Sequence, residues 1–152
     1  MLEPLSQHLK DYEQLMMQYY GAGVQACYRG SRLYDTEETK QVVVNVIDWY
    51  KKYREILNSD IIHLRRADGR DWDGIIHVNP QLAHRGLVIL YNPTKEKIEK
   101  TIRLPLYYTA LTEKATIREK EGVSKTYLLN REYEVELPVT LQADSYSWWI
   151  ID

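Results

Sequence analysis

The chain has 152 residues, 44% of them apolar and 28% charged, enough for one domain with a real core or a small domain plus an appendage. A formal net charge of −2 gives no electrostatic reason to expect nucleic acid or an anionic membrane as partner, and no run approaches the ~18 apolar residues of a membrane span. The lone Cys27 excludes an internal disulfide and a cysteine-based zinc site, and its apolar setting reads as a small buried hydrophobe.

Residues Glu3 to Tyr20 read as a helix. Leu5, Leu9, Tyr12, Met16 and Tyr19 recur at spacings of four and three, and Gly21-Ala-Gly23 supplies a stop. The start, Met1-Leu-Glu-Pro-Leu-Ser6, lacks a basic region followed by an apolar one, so no signal peptide is expected. Val24 to Tyr28 is short and apolar and predicts one buried strand. Asp35-Thr-Glu-Glu38 resembles a capping box, with Asp35 as N-cap. A second helix follows over Thr36 to Leu57, on a stripe of Val43, Val46, Tyr50, Tyr53 and Leu57. Helix, strand, loop, helix is the rhythm of α/β units, so residues 1–58 read as the tail of an α/β domain.

From Asp60 the period changes to β. Strands are expected near Ile61–Leu64, Trp72–Val78, Leu87–Tyr91, Ile98–Leu104, Ala115–Glu119, Thr126–Leu129, Tyr133–Val139 and Tyr146–Ile151, separated by turn signals such as Asp68-Gly69, Asn79-Pro80 and Asn92-Pro93. Leu87 to Tyr91 is continuously apolar, a strand buried on both faces. Ile98 to Leu106 alternates, so one face is wet. The short polar stretch Thr94–Lys97 between them predicts a hairpin. Pro105 and Pro138 each remove a ladder donor and belong at strand ends or edges. The expected fold is mainly β: an antiparallel β-sandwich of about eight strands, Greek-key type, over residues 59–152, preceded by two helices.

Several groups have the residue types that chemistry needs. Asp68-Gly-Arg-Asp-Trp-Asp73 holds three carboxylates. On one strand Asp71 and Asp73 would point the same way, roughly 7 Å apart, a separation suited to glycoside hydrolysis. The alternative is a polar Asp-Gly loop. Trp72 is a candidate stacking surface for a sugar ring, a cap on the sandwich, or a residue packed on the helical segment. Trp148 and Trp149 are adjacent on one strand, so one faces in and one out. In Tyr28-Arg-Gly-Ser-Arg-Leu-Tyr-Asp35, a loop after the predicted strand, Arg29, Arg32 and Tyr34 are candidate substrate contacts, because loops that follow strands line the active face of an α/β barrel. Helix capping and surface ion pairs are the other use of this cluster. His8, His63, His77 and His84 lack metal-ligand spacing, and no phosphate loop or nucleophile elbow occurs, so neither metal nor cofactor is expected. The 13 Tyr and 4 Trp, with no Phe, suit strands as well as half-wet, sugar-binding or interface surfaces.

Taken together, Trp49-Tyr-Lys-Lys-Tyr-Arg-Glu-Ile-Leu57, Asp68-Gly-Arg-Asp-Trp-Asp-Gly74, His77-Val-Asn-Pro80, Arg85-Gly-Leu-Val88, Tyr91-Asn-Pro-Thr94 and Leu104-Pro-Leu-Tyr-Tyr108 resemble the C-terminal end of bacterial α-galactosidase-like glycoside hydrolases. In that family a (β/α)8 catalytic barrel precedes a β-sandwich. The resemblance implies that residues 1–58 are the end of the barrel and that the catalytic carboxylates lie on earlier strands, so no catalytic residue is carried onto this chain. It implies a non-catalytic sandwich whose partner is the parent's barrel; a second copy of the chain is the other expected partner, through apolar stripes left exposed on the helices. The alternatives are a carbohydrate-binding module that stacks sugars on exposed Trp and Tyr, or a self-associating module.

Overall fold

A computed structural model describes residues 2–26 and 32–152. The chain forms two compact units, Met1–Asn58 and Ser59–Asp152. In the first, a 3-10 turn, Leu5–Gln7, leads into α1 (Leu9–Tyr20), and α2 (Glu37–Leu57) follows. The predicted stripes are the buried faces: Tyr12, Met16 and Met17 of α1, with Val43, Val46, Tyr53, Ile56 and Leu57 of α2. Tyr20 and Tyr50 meet at 5.2 Å between ring centres.

Three local expectations change. The first predicted helix is a 3-10 turn and then a helix from Leu9. Val24 lies in a bend and is half-exposed, with Gln25 exposed beside it, so the buried strand does not start there; Cys27 and Tyr28 lie outside the described residues. The N-cap of α2 is Thr36 in place of Asp35. Thr36 has extended backbone (φ −134°, ψ 168°), and its side chain accepts from the Thr39 amide at 3.2 Å.

The second unit is an antiparallel β-sandwich of eight strands: β1 (Asp60–Arg65), β2 (Asp73–Val78), β3 (Gly86–Asn92), β4 (Ile98–Pro105), β5 (Lys114–Glu119), β6 (Lys125–Leu128), β7 (Glu134–Leu141) and β8 (Ser145–Ile151). Six form one sheet in the order β1-β2-β3-β8-β5-β6, and β4 pairs with β7 in the other. The expected hairpin between β3 and β4 is therefore absent: β3 pairs with β2 and β8, and the chain changes sheet after Asn92. β3 is an interior strand with partners on both edges, and its apolar run is buried on both faces.

Asn92 fixes the crossing. It is 1% exposed. Its Nδ2 faces the carbonyls of Glu96 (2.7 Å), Leu141 (3.2 Å) and Gln142 (2.8 Å), while its Oδ1 accepts from the amide and hydroxyl of Thr94. One side chain thus ties the end of β3 to the turn before β4 and to the end of β7.

The core lies between the sheets. Ile76, Val78, Val88, Leu90, Trp149 and Ile151 of the large sheet face Ile102, Leu104, Val135, Leu137, Val139 and Leu141 of the small one. On the small sheet's other face Glu99, Thr101, Arg103, Glu136 and Thr140 are exposed, the period-two pattern of a half-wet strand pair. Pro105 ends β4, and Pro138 sits in β7, whose sheet is only two strands wide, as the missing ladder donors require. Trp149 joins the core; Trp148, in the opposite face of the sheet, is buried as well. Gly74 admits no side chain, because a Cβ would sit 2.4 Å from the Ile89 carbonyl oxygen.

Candidate functional site

The sequence candidates fall in both units. In the helical unit Arg32 is exposed, its Nη2 3.3 Å from Glu3 Oε2, and Tyr34 is exposed with Lys40 Nζ 5.8 Å from its ring centre. Arg29 lies outside the described residues. Asp35 does more than cap. Its Oδ2 accepts from the Ser6 amide and hydroxyl, each at 3.0 Å, and its Oδ1 accepts from the Thr39 hydroxyl at 2.7 Å. These bonds favour the ionised form, led by that from the Ser6 amide, and hold the carboxyl down at about 2. Asp35 therefore pins the turn before α1 to the start of α2. Tyr12 reinforces this, its hydroxyl donating to the Leu33 carbonyl at 2.7 Å.

In the sandwich the acidic segment forms a loop. Gly69 takes φ +70°, as an Asp-Gly turn needs. Arg65 grips Asp68 with both guanidinium ends, at 3.1 and 2.9 Å, and the Asp68 carboxyl is held down at about 2 by that contact and by the Arg70 amide. Asp71 accepts from Lys100 of β4 at 2.5 Å, and that bond lowers its pKa. Strand β2 begins only at Asp73, so Asp71 and Asp73 do not share a strand and the strand spacing does not apply to them. Asp71 reaches toward the small sheet. Asp73 stands in a row with Tyr91 and Tyr146 on the face of the large sheet away from the sandwich core. There, burial raises the Asp73 carboxyl, and Tyr91 is raised far above the usual phenol, by burial first and then by the Asp73 charge. The two carboxylates therefore do not converge on one bond. Nearby cations are also matched: Lys97 meets Glu99 at 2.5 Å and Lys95 meets Asp144 at 2.7 Å. Among the described residues no three His, Cys, Asp or Glu side chains gather to hold a metal ion.

Trp72 is half-buried and packs against the sandwich core. Its carbonyl accepts from Arg65 at 2.8 Å, so the indole sits where the loop closes the end of the sandwich.

The exposed aromatic surface of the sandwich lies elsewhere. Tyr107 and Tyr108 are 63% and 62% exposed and Tyr133 is 37% exposed. Tyr107 meets Tyr108 at 5.2 Å and 89° and Tyr133 at 5.6 Å and 71°, two edge-to-face contacts. Tyr133 holds φ +59°, a conformation costing a non-glycine residue on the order of 1–3 kcal/mol. The sequence offered one signal for this cluster, the pair Tyr107-Tyr108 directly after Pro105-Leu106. Tyr133 read as the first residue of a strand, whereas β7 begins after it.

No protein-family model and no curated protein matches the sequence. The fold is that found in glycoside hydrolase chains. An α-amylase from Geobacillus thermoleovorans, complexed with acarbose, superposes with a TM-score of 0.59 at 14% identity, over 95% of this chain and 33% of the enzyme. A candidate α-N-acetylgalactosaminidase from Bacillus halodurans gives 0.59 at 16%, over 94% and 32%. A candidate α-galactosidase/melibiase from Bacteroides fragilis gives 0.54 at 14%, over 96% and 28%. The resemblance read from the sequence thus holds for the fold, and the chain spans about a third or less of each of these structures.

Proposed function

We propose that this chain is the non-catalytic C-terminal part of a glycoside hydrolase, in which the sandwich supports a catalytic barrel and residues 1–58 correspond to the barrel's last helices. The observation that supports this most is the coverage. Helices and sandwich are matched together over 94–96% of this chain by 28–33% of proteins named as carbohydrate hydrolases. The state of the acidic residues agrees. Glycoside hydrolysis needs two carboxyl groups flanking one bond, one protonated and one ionised. Asp68 and Asp71 are each bound to a cation, and Asp73, the one raised carboxyl of the segment, stands on the large sheet's face away from the sandwich core while Asp71 binds Lys100 of the small sheet.

The test is a turnover assay of the purified chain on a panel of aryl α- and β-glycosides. No release above a boiled control is expected; release above it overturns the proposal.

A further inference from the structure

We propose that Tyr107, Tyr108 and Tyr133 form a stacking platform for the pyranose rings of an oligosaccharide on the surface of the sandwich. The inference rests on the reading above for the class of ligand, and on the structure for the site.

The rings are exposed because the chain around them is fixed. Tyr107 and Tyr108 stand on a single 3-10 turn, Tyr107–Thr109, between two buried anchors, Leu106 and Thr109, both 0% exposed. The Thr109 hydroxyl donates to the Leu106 carbonyl at 2.6 Å, and its amide donates to the same oxygen at 3.0 Å. With the turn's ends held in the core, the two tyrosines between them have nowhere to point but outward.

Tyr133 is aimed by its own loop. The Oδ1 of Asn130 accepts from the amides of Glu132 and Glu134, both at 2.9 Å, and the Tyr133 amide donates to the Asn130 carbonyl at 3.1 Å. This closed loop forces Tyr133 into the left-handed region, where a tyrosine is an outlier and glycine or asparagine the usual occupant. The Leu106 amide donates to the Tyr133 carbonyl at 2.9 Å, joining the two loops. Four backbone-directed bonds and a strained φ thus serve to hold a tyrosine that still leaves 37% of its surface open to solvent. Strain of this kind, sustained by over-determined surroundings, marks functional surfaces.

The chemistry of the surface selects the ligand. Tyrosine presents an apolar face and a hydroxyl tip, with only two torsions to immobilise. Edge-to-face packing turns the rings through 89° and 71°, which makes a bent surface in place of a flat slot. A sugar ring has matching properties, with C–H groups on its faces and hydroxyls at its rim. Exposed Arg131 and Glu132 beside Tyr133, and the Arg103–Glu134 pair at 3.6 Å, supply hydrogen-bonding partners around the platform. A stable protein partner would need roughly 800 Å² of contact with a water-excluding centre, and the charged neighbours interrupt any such centre here.

Affinity electrophoresis of the whole chain through native gels containing amylopectin, galactomannan or xylan tests this. Retardation by at least one polysaccharide is expected. The double variant Y107A/Y108A should weaken it roughly tenfold or more. So should Tyr133→Gly, which removes the ring yet suits φ +59° and so should keep or raise the melting temperature. Leu128→Ala, at an exposed residue outside the cluster, should leave retardation unchanged. No retardation on any gel overturns the proposal, as does retardation that survives the tyrosine substitutions. Sedimentation showing tyrosine-dependent self-association without retardation also overturns it, in favour of a second copy as occupant. The outcome is separable from the turnover assay: turnover would overturn the hydrolase-support reading with the gel result intact, and silent gels would overturn the platform with the assay intact.

Discussion

The two units of this chain secure themselves by different means. The sandwich encloses its own apolar core between a six-stranded and a two-stranded sheet. Among its described residues the helical unit packs α1 on α2 and adds polar pins: Asp35 joins Ser6 to Thr39, and Tyr12 holds the Leu33 carbonyl. Burial of apolar surface is insensitive to pH, whereas a carboxylate that accepts three hydrogen bonds is not. The contrast teaches that the same chain should show two kinds of fragility, one to lost volume and one to acid.

The largest effect should come from the sandwich core. Leu104 is fully buried in β4 and faces the large sheet. Leu104→Ala removes its transfer energy and leaves a cavity, and should cost about 3–4 kcal/mol, read from chemical denaturation followed by tryptophan fluorescence. A cost under about 1 kcal/mol would break the comparison, because the core would then not be what holds the sandwich. Asn92→Ala should follow, at roughly 2–3 kcal/mol. It leaves the carbonyls of Glu96, Leu141 and Gln142 without that donor at a buried crossing. Asn92→Asp sharpens the point, since a carboxylate cannot donate to those three carbonyls and should do no better than alanine.

That second site shows where sequence reading stops. The eight strands were legible because period-two alternation and turn residues are local: Val135, Leu137 and Val139 point inward and Glu136 and Pro138 outward, as the pattern demands. Which strand pairs with which is not local. The stretch Thr94–Lys97 has a length and composition that fit a hairpin, and long-range bonds turn it into a crossing between sheets, chief among them those of the buried Asn92 amide to carbonyls 49 and 50 residues away. The tyrosine cluster is hidden in the sequence for a similar reason. Trp72 and the acidic loop have the residue types of a site, and the structure engages them with the core, Arg65 and Lys100. Tyr107 and Tyr133 are 26 positions apart and come together only through two loops, so no spacing rule could have joined them. Asp35 was legible as a capping residue because Ser, Thr and Asp before a helix are interchangeable signals; that Thr36 caps while Asp35 reaches back to Ser6 depends on a contact 29 residues away.

Asp35 also carries the smallest of the expected effects and the one most specific to the helical unit. Its carboxyl is held below the ordinary value, at about 2, by bonds that only the folded chain supplies. A group depressed on folding binds its proton more weakly in the native state than in the unfolded one. Its contribution is therefore complete above about pH 4, where the unfolded carboxyl is ionised, and is lost as the pH falls from there toward 2. Asp35→Asn cannot reproduce acceptance at both oxygens, so it should lower the melting temperature of the helical signal at 222 nm at neutral pH. The gap between the two proteins should then close between about pH 4 and pH 2, as the wild-type carboxyl takes up its proton. A gap that stayed constant over that range would mean that Asp35 acts through shape alone, and the contrast between a volume-sensitive sandwich and an acid-sensitive helical pair would lose its second half.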